Sequence, residues 1–376
     1  MTTLRGITWE HPRGYDSVVG AAKAYAAVEL GVEVTWEYRS LQAFADAPIA
    51  QLAAAYDLMI IDHPHVPLAA EAGLLAQLDD AGFDDELARL AEQSVGPSHA
   101  SYAYRGHQYG LASDAAAHVA VYRPDLLPEP PRTWDEVLEL AAAGRVVWPA
   151  KPIDAISSLI TVAANGGAPA NAESGVFLAD DDLLSALDLL HRLAGYVPER
   201  NLADNPIQVA EQLSTSDQWW YAPLLFGYTN YSRVGFRPGR LKYTDMPSRG
   251  AGVAGSILAG AGIAVSATAG DLDAARAFAL WLASADVQRG VYFDAGGQPG
   301  NAAAWEDERL NAKTWDFFTG TRATLEGAYT RPQLPGYIEF QDTAAPLVNA
   351  ALRRELTDAQ LVRRLDELAE RLLVHG

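Results

Sequence analysis

Two short runs carry the residues with the most chemistry in this chain: Trp9-Glu10-His11-Pro12-Arg13 and Asp62-His63-Pro64-His65. Three imidazoles beside carboxylates and a guanidinium suit three tasks. They can hydrogen-bond a polar ligand, serve as general acid or base near neutral pH, or supply N and O donors to a metal ion such as zinc. The proline between His63 and His65 prevents a helical i, i+4 pair, and no His-Glu-x-x-His spacing occurs, so no metal site is expected. Ser113, Asp114 and His118 lie within six residues of each other but lack the turn that exposes a nucleophile, so no catalytic residue is assigned.

Both runs follow strand-like segments, which accounts for their placement. Tyr56 to Ile61 ends in four apolar residues, the pattern of a strand buried on both faces of a parallel sheet. Leu4 to Glu10 reads as another strand, followed by a helix over Ser17 to Glu29 with Asp16 as N-cap and Gly31 as its stop, and then by a strand at Val32 to Trp36. Parallel strands put their following loops on one sheet edge, where ligands bind in open α/β folds. Further along, Ala69 to Leu78 reads as a helix, Tyr102 to Gly110 as a hairpin turning at Arg105-Gly106, and Leu111 to Tyr122 as a strand. Thr133 and Glu136 form a capping box, and amphipathic or leucine-rich helices are expected over Asp181–Leu193, Asp271–Ala283 and Asp358–Leu373.

The 376 residues, 49% of them hydrophobic, are enough for two domains. A formal charge of -20 disfavours nucleic acid and anionic membranes as partners. The absence of cysteine excludes disulfides and thiolate chemistry in the chain as given. No apolar run approaches the length needed to cross a bilayer, and Arg5, Glu10 and His11 stand where a signal peptide would have its apolar centre. If Met1 is the native start the protein is cytoplasmic, and if a leader has been trimmed it is exported.

The run from Arg105-Gly-His-Gln-Tyr-Gly-Leu through Val121-Tyr-Arg-Pro-Asp-Leu-Leu-Pro-Glu-Pro-Pro-Arg-Thr-Trp-Asp-Glu-Val137 closely resembles the family 1 extracellular solute-binding proteins of ABC transporters, the maltose-binding-protein-like group. The segments Ile7 to Tyr25, Tyr56 to Asp80, Leu280 to Gln288, Gly296 to Gly300 and Arg331 to Pro335 are similar to further family elements in the same order. The resemblance implies an α/β fold of the periplasmic-binding-protein type II, with two lobes joined by a hinge and a ligand cleft between them. It places residues 1–111 and 257–305 in lobe one, and 112–256 and 306–376 in lobe two.

On that basis one wall of the site comprises Trp9, Glu10, His11, Arg13, Asp62, His63 and His65. The acid that sugar-binding members carry after the hinge falls near Ala116 here, with Asp114 the nearest carboxylate. The second wall is expected from the aromatic segment Gln218 to Tyr231, through Trp219, Trp220, Tyr221, Tyr228 and Tyr231, because aromatic faces stack on sugar rings and their polar tips supply donors. Ser256 lies in the glycine-rich return segment. The resemblance implies capture of a small polar solute, a carbohydrate or polyol that can be acidic, by a monomer that delivers it to an ABC permease without a cofactor. The rival readings are a cytoplasmic enzyme using the histidines as acid or base, and a histidine-ligated metal-binding protein.

Overall fold

The computed structural model describes residues 1–40, 48–79, 82–170, 176–250 and 252–373. The chain divides into two compact units: Met1–Ala115 with Ala259–Asn311, and Ala116–Leu258 with Ala312–Gly376.

Unit 1 is built on a five-stranded sheet in the order Val32–Arg39, Thr2–Trp9, Leu58–Ile61, Gly262–Val265, Gly110–Ala112. The first three strands are parallel, and Gly262–Val265 runs antiparallel to both of its neighbours. Leu58–Ile61 is fully buried because both faces are covered. Leu58 and Ile60 face a core with Val18, Tyr25 and Phe278 from the helices Ser17–Val28 and Leu272–Ala283, while Met59 and Ile61 face Ile49, Leu52, Val66 and Tyr102. The continuous apolar run of this strand is therefore a direct consequence of its central position.

Three local expectations change. Asp16 is not an N-cap: a π-helical turn over Pro12–Asp16 leads directly into the helix, with Asp16 already in helical geometry and its side chain making no cap bond. The Ala69–Leu78 helix is instead a 3-10 turn at His63–His65 followed by a helix over Val66–Glu71. Pro67 starts that helix well, Gly73 at φ +64° follows its end, and Leu75 forms a bridge to Ser266. The run Leu111–Tyr122 is two strands, Gly110–Ala112 and Ala116–Tyr122, which belong to different sheets. Their residues are similarly small and apolar, so periodicity shows no break.

Unit 2 has Ala116–Tyr122 as its central strand, flanked by Leu258–Ala259 and Tyr221–Phe226 and also paired with Lys242–Thr244. Its core is formed by helices Trp134–Ala142, Pro152–Asn165, Asp180–Ala194, Tyr337–Leu352 and Asp358–Leu372 around Trp148, Tyr221 and Phe340. Thr133 and Glu136 form the capping box that their spacing predicts, and Thr357 with Gln360 forms another. The hairpin Ala103–Tyr104/His107–Gln108 turns at Arg105 and Gly106, both with positive φ as a tight two-residue turn requires.

Among the described residues, no helix is long and apolar enough to cross a membrane.

Candidate functional site

In unit 1 the strand register decides what gathers. Trp9 pairs with Arg39, Ile7 with Met59, and Gly262 lies between Ile61 and Ala112. The carboxyl ends of four strands therefore share one edge, and Glu10, Arg39, Asp62 and the Ser113-Asp114 segment emerge there. The Glu10 N–H donates to the Arg39 carbonyl at 2.8 Å, which ties the first two loops together. Arg39 follows from the strand-end rule but only once the second strand is extended beyond Trp36. Burial lowers the pKa of its guanidinium.

Glu10 is exposed, His11, Asp62 and His65 are half-buried, and Trp9, Arg13 and His63 are buried. The loop is internally braced. His11 Nδ1 accepts from the Arg13 N–H at 3.1 Å, and the Ser17 hydroxyl donates to the Arg13 carbonyl at 2.7 Å. The Arg13 side chain makes a two-pronged pair with Asp114, with Nε donating to Oδ2 at 2.7 Å and a terminal nitrogen to Oδ1 at 2.5 Å. Only 5% of the Arg13 side chain and 1% of the Asp114 side chain is exposed, so these two residues are engaged with each other in the interior. Burial pushes the Asp114 carboxyl up, and the Arg13 charge pulls it back down. The His63 ring meets Tyr102 edge-on at 6.4 Å, and the Tyr102 hydroxyl donates to the Ile61 carbonyl.

Gly14 makes this loop possible. A Cβ there would stand 2.4 Å from Trp9 Cδ2, inside the indole. Gly14→Ala is expected to displace Trp9 and the Glu10–Arg13 turn, costing roughly 1–3 kcal/mol as an overpacked core substitution. A lowered Tm with a shifted tryptophan emission maximum checks this; unchanged values for both contradict it.

Ser113, Asp114 and His118 do not form a catalytic relay. The Ser113 hydroxyl donates to the Ala261 carbonyl, Asp114 pairs with Arg13, and His118 Nδ1 is 3.0 Å from Thr161 Oγ1.

In unit 2 the aromatic segment serves several purposes. Trp219 and Trp220 are half-buried, and Trp220 stacks on Arg145 at 4.4 Å while its indole N–H donates to the Asp217 carbonyl. Tyr221 is taken up by the hydrophobic core at the start of its strand. Tyr228 is buried, and Tyr231 is buried with its hydroxyl donating to Glu211 at 2.7 Å. Ser256 is fully buried and donates to the His118 carbonyl at 2.7 Å, a bond that ties the return segment to the central strand.

Three further polar residues lie in the interior of unit 2. Asp154 stands in the first turn of the Pro152–Asn165 helix, 3% exposed, with Oδ2 lacking a hydrogen bond. Burial, partly offset by Lys151, pushes its carboxyl up to about 7. His118 is fully buried, and burial together with the Arg331 charge lowers it to about 3, so the ring is neutral. Its position inside a buried strand was the only signal in sequence, and that signal is the ordinary one for a core histidine. Arg331 is 7% exposed.

The bacterial extracellular solute-binding protein family matches residues 20–319 of the chain. This chain belongs to that family. A maltotriose-binding protein of Pyrococcus abyssi (strain GE5 / Orsay) is 34% identical to the solute-binding protein over 84 residues, 22% of this chain and 18% of that relative. The match thus spans less than a fifth of the relative's length.

Solved structures of the same fold include maltose-bound MalE3 of T. maritima, with a TM-score of 0.86, 18% identity, and coverage of 99% of this chain and 100% of that one. An ABC transporter solute-binding protein of Agrobacterium radiobacter K84 in complex with ribitol has a TM-score of 0.84 and 19% identity, covering 99% of this chain and 98% of that one. One from Thermotoga lettingae TMO bound with alpha-D-tagatose has a TM-score of 0.81 and 18% identity, covering 99% and 100%. The periplasmic-binding-protein architecture implied by the Arg105–Val137 motif is thereby established for this solute-binding protein.

Proposed function

We propose that this solute-binding protein captures a small polyhydroxylated solute, a carbohydrate or polyol, outside the cytoplasm and hands it to an ABC permease. The observation that carries the reading is the gathering of Glu10, Arg39, Asp62 and His65 at one carboxyl edge of the unit 1 sheet. Carboxylates accept from vicinal hydroxyls, a guanidinium forks onto them, and imidazole can do either. In unit 2 by itself, Asp154, Trp219 and Trp220 are the side chains this reading takes as polar and aromatic contacts. The maltose, ribitol and tagatose complexes of its structural neighbours support this class of solute.

Binding needs no chemical step in this reading: the protein acts as a monomer, and affinity for the solute-competent form shifts the population. Nine tryptophans provide the signal. A panel of hexoses, maltooligosaccharides and pentitols or hexitols is expected to contain at least one compound that shifts tryptophan emission and raises Tm. At one hundred times Kd the stabilisation is about 2.7 kcal/mol. The bound compound is expected to be recovered unchanged after prolonged incubation. A panel that moves neither signal removes the proposal.

A further inference from the structure

Among the described residues three arginines are buried: Arg13, Arg123 and Arg331. Arg13 pairs with Asp114, and Arg123 pairs with Asp125 and Asp217. Arg331 has no carboxylate. Its guanidinium donates to a neutral amide oxygen, Gln341 Oε1, at 3.0 Å, and its Nε finds no acceptor. A guanidinium does not lose its proton in a protein, so this is a fixed positive charge held 93% out of water without a counter-charge, in a chain with 48 Asp and Glu.

The groups around it lack an acceptor too. Tyr329, two residues before Arg331, is bridged to Ile257, and the Ile257 N–H donates to Thr161 Oγ1 at 3.1 Å. The tautomer in which the Thr161 hydroxyl donates to His118 Nδ1, 3.0 Å away, puts the imidazole proton on Nε2. His118 Nε2 is buried with no partner, and so is the Tyr337 hydroxyl. Gln341, which Arg331 contacts, lies one helical turn after Tyr337, and the Tyr329–Ile257 bridge brings the Arg331 segment beside Thr161 and His118. In that tautomer the Arg331 Nε, the His118 Nε2 and the Tyr337 hydroxyl are three buried donors of one unit without an acceptor. Buried donors without acceptors are uncommon, and an oxyanion is a group that accepts from all three kinds.

Resting on the carbohydrate reading above, we propose that the solute carries a carboxylate or related oxyanion, held in unit 2 by Arg331 with His118 and Tyr337. The acidic group supplies the counter-charge that the fold withholds, and an acid-free solute would leave the guanidinium unpaired. This makes Arg331 the specificity-determining residue between sugar acids and their neutral counterparts.

The test uses the full chain and matched pairs: D-gluconate against D-sorbitol and D-glucuronate against D-glucose, with inorganic phosphate as a third arm. Titration calorimetry and Tm are the readouts. Binding of an acidic member at least about ten-fold tighter than its neutral partner is expected, as befits a hydrogen bond to a charged group. Arg331→Gln is expected to erase that preference while changing neutral binding less than about three-fold, and Tyr337→Phe to reduce it. Arg331→Gln removes an unpaired buried charge, so the apo Tm is expected to hold or rise. If that variant does not fold, Tyr337→Phe and His118→Asn carry the comparison.

Equal or tighter binding of the neutral members, or a preference that survives Arg331→Gln, overturns the acid preference and leaves the carbohydrate reading standing. Arg331-dependent binding of phosphate without any sugar acid upholds the oxyanion site but overturns its assignment to the solute. Silence of every sugar, polyol and sugar acid overturns both readings.

Discussion

Asp114→Ala is expected to lower the Tm of unit 1 by about 10 °C, and Arg13→Ala to do nearly the same. Each leaves one member of a buried two-pronged pair without its partner, and breaking such a pair typically costs about 3–5 kcal/mol. For a domain of this size each kcal/mol is worth roughly 2–4 °C. The double variant Arg13→Met/Asp114→Leu separates two contributions. Apolar residues of similar volume can fill the space without any desolvation cost, so the double variant is expected to recover most of the lost stability.

Solute affinity is not expected to recover with it. Arg13 also sits in the turn whose backbone is held by His11 Nδ1 and Ser17, and the pair connects that turn to the segment just before the chain passes into unit 2 at Ala115–Ala116. Thermal melts of the three variants, with titration of a bound solute, distinguish stabilisation from loop positioning. If the double variant recovers both stability and affinity, the pair is a packing device alone.

Asp154→Asn is expected to stabilise the protein at pH 8 and weaken solute binding. In the folded protein this carboxyl titrates near 7, above its ordinary value of 3.8, because burial disfavours the charged form. A raised carboxyl pKa contributes stability that is fully present below the unfolded value and is lost as pH rises towards the folded one. Over that window of about three pH units, at roughly 1.4 kcal/mol per unit, the loss reaches a few kcal/mol. Asparagine keeps the shape and removes the titration. The variant is therefore expected to have a higher Tm than the parent at pH 8 and an equal one at pH 4. Equal melting temperatures at both pH values would show that Asp154 is not desolvated as its burial implies. A gain in stability coupled to a loss of affinity would mark a group kept for binding despite its cost.

Much of the architecture was legible because its signals are local or repeat with a fixed period. Leu58–Ile61 could be read as a doubly covered strand from four apolar residues, and Thr133/Glu136 as a helix start from a three-residue spacing. The boundary at Asp16 was misplaced because a π-helical turn satisfies the same backbone groups that an N-cap would. The Leu111–Tyr122 run was read as one strand because side-chain type does not record which sheet a strand joins.

Site residues divide along the same line. The parallel strand order and the strand-end rule put Glu10, Asp62 and His65 on one edge, and the same rule reaches Arg39. Tyr221 was grouped with its aromatic neighbours, yet it enters the core at the start of a strand, bridged to Val146. Nothing in its immediate neighbours states which tyrosine of the segment the helices will cover.

From the sequence alone came the α/β class, the solute-binding family resemblance and the loops that follow the parallel strands. Those depend on residue type, spacing and order, which are written along the chain. Tertiary structure decided that Arg13 is matched by Asp114, 101 residues away, while Arg331 finds only an amide. Charge balance in an interior is a property of pairs brought together by folding, so neither the partner nor its absence is visible until the chain has folded.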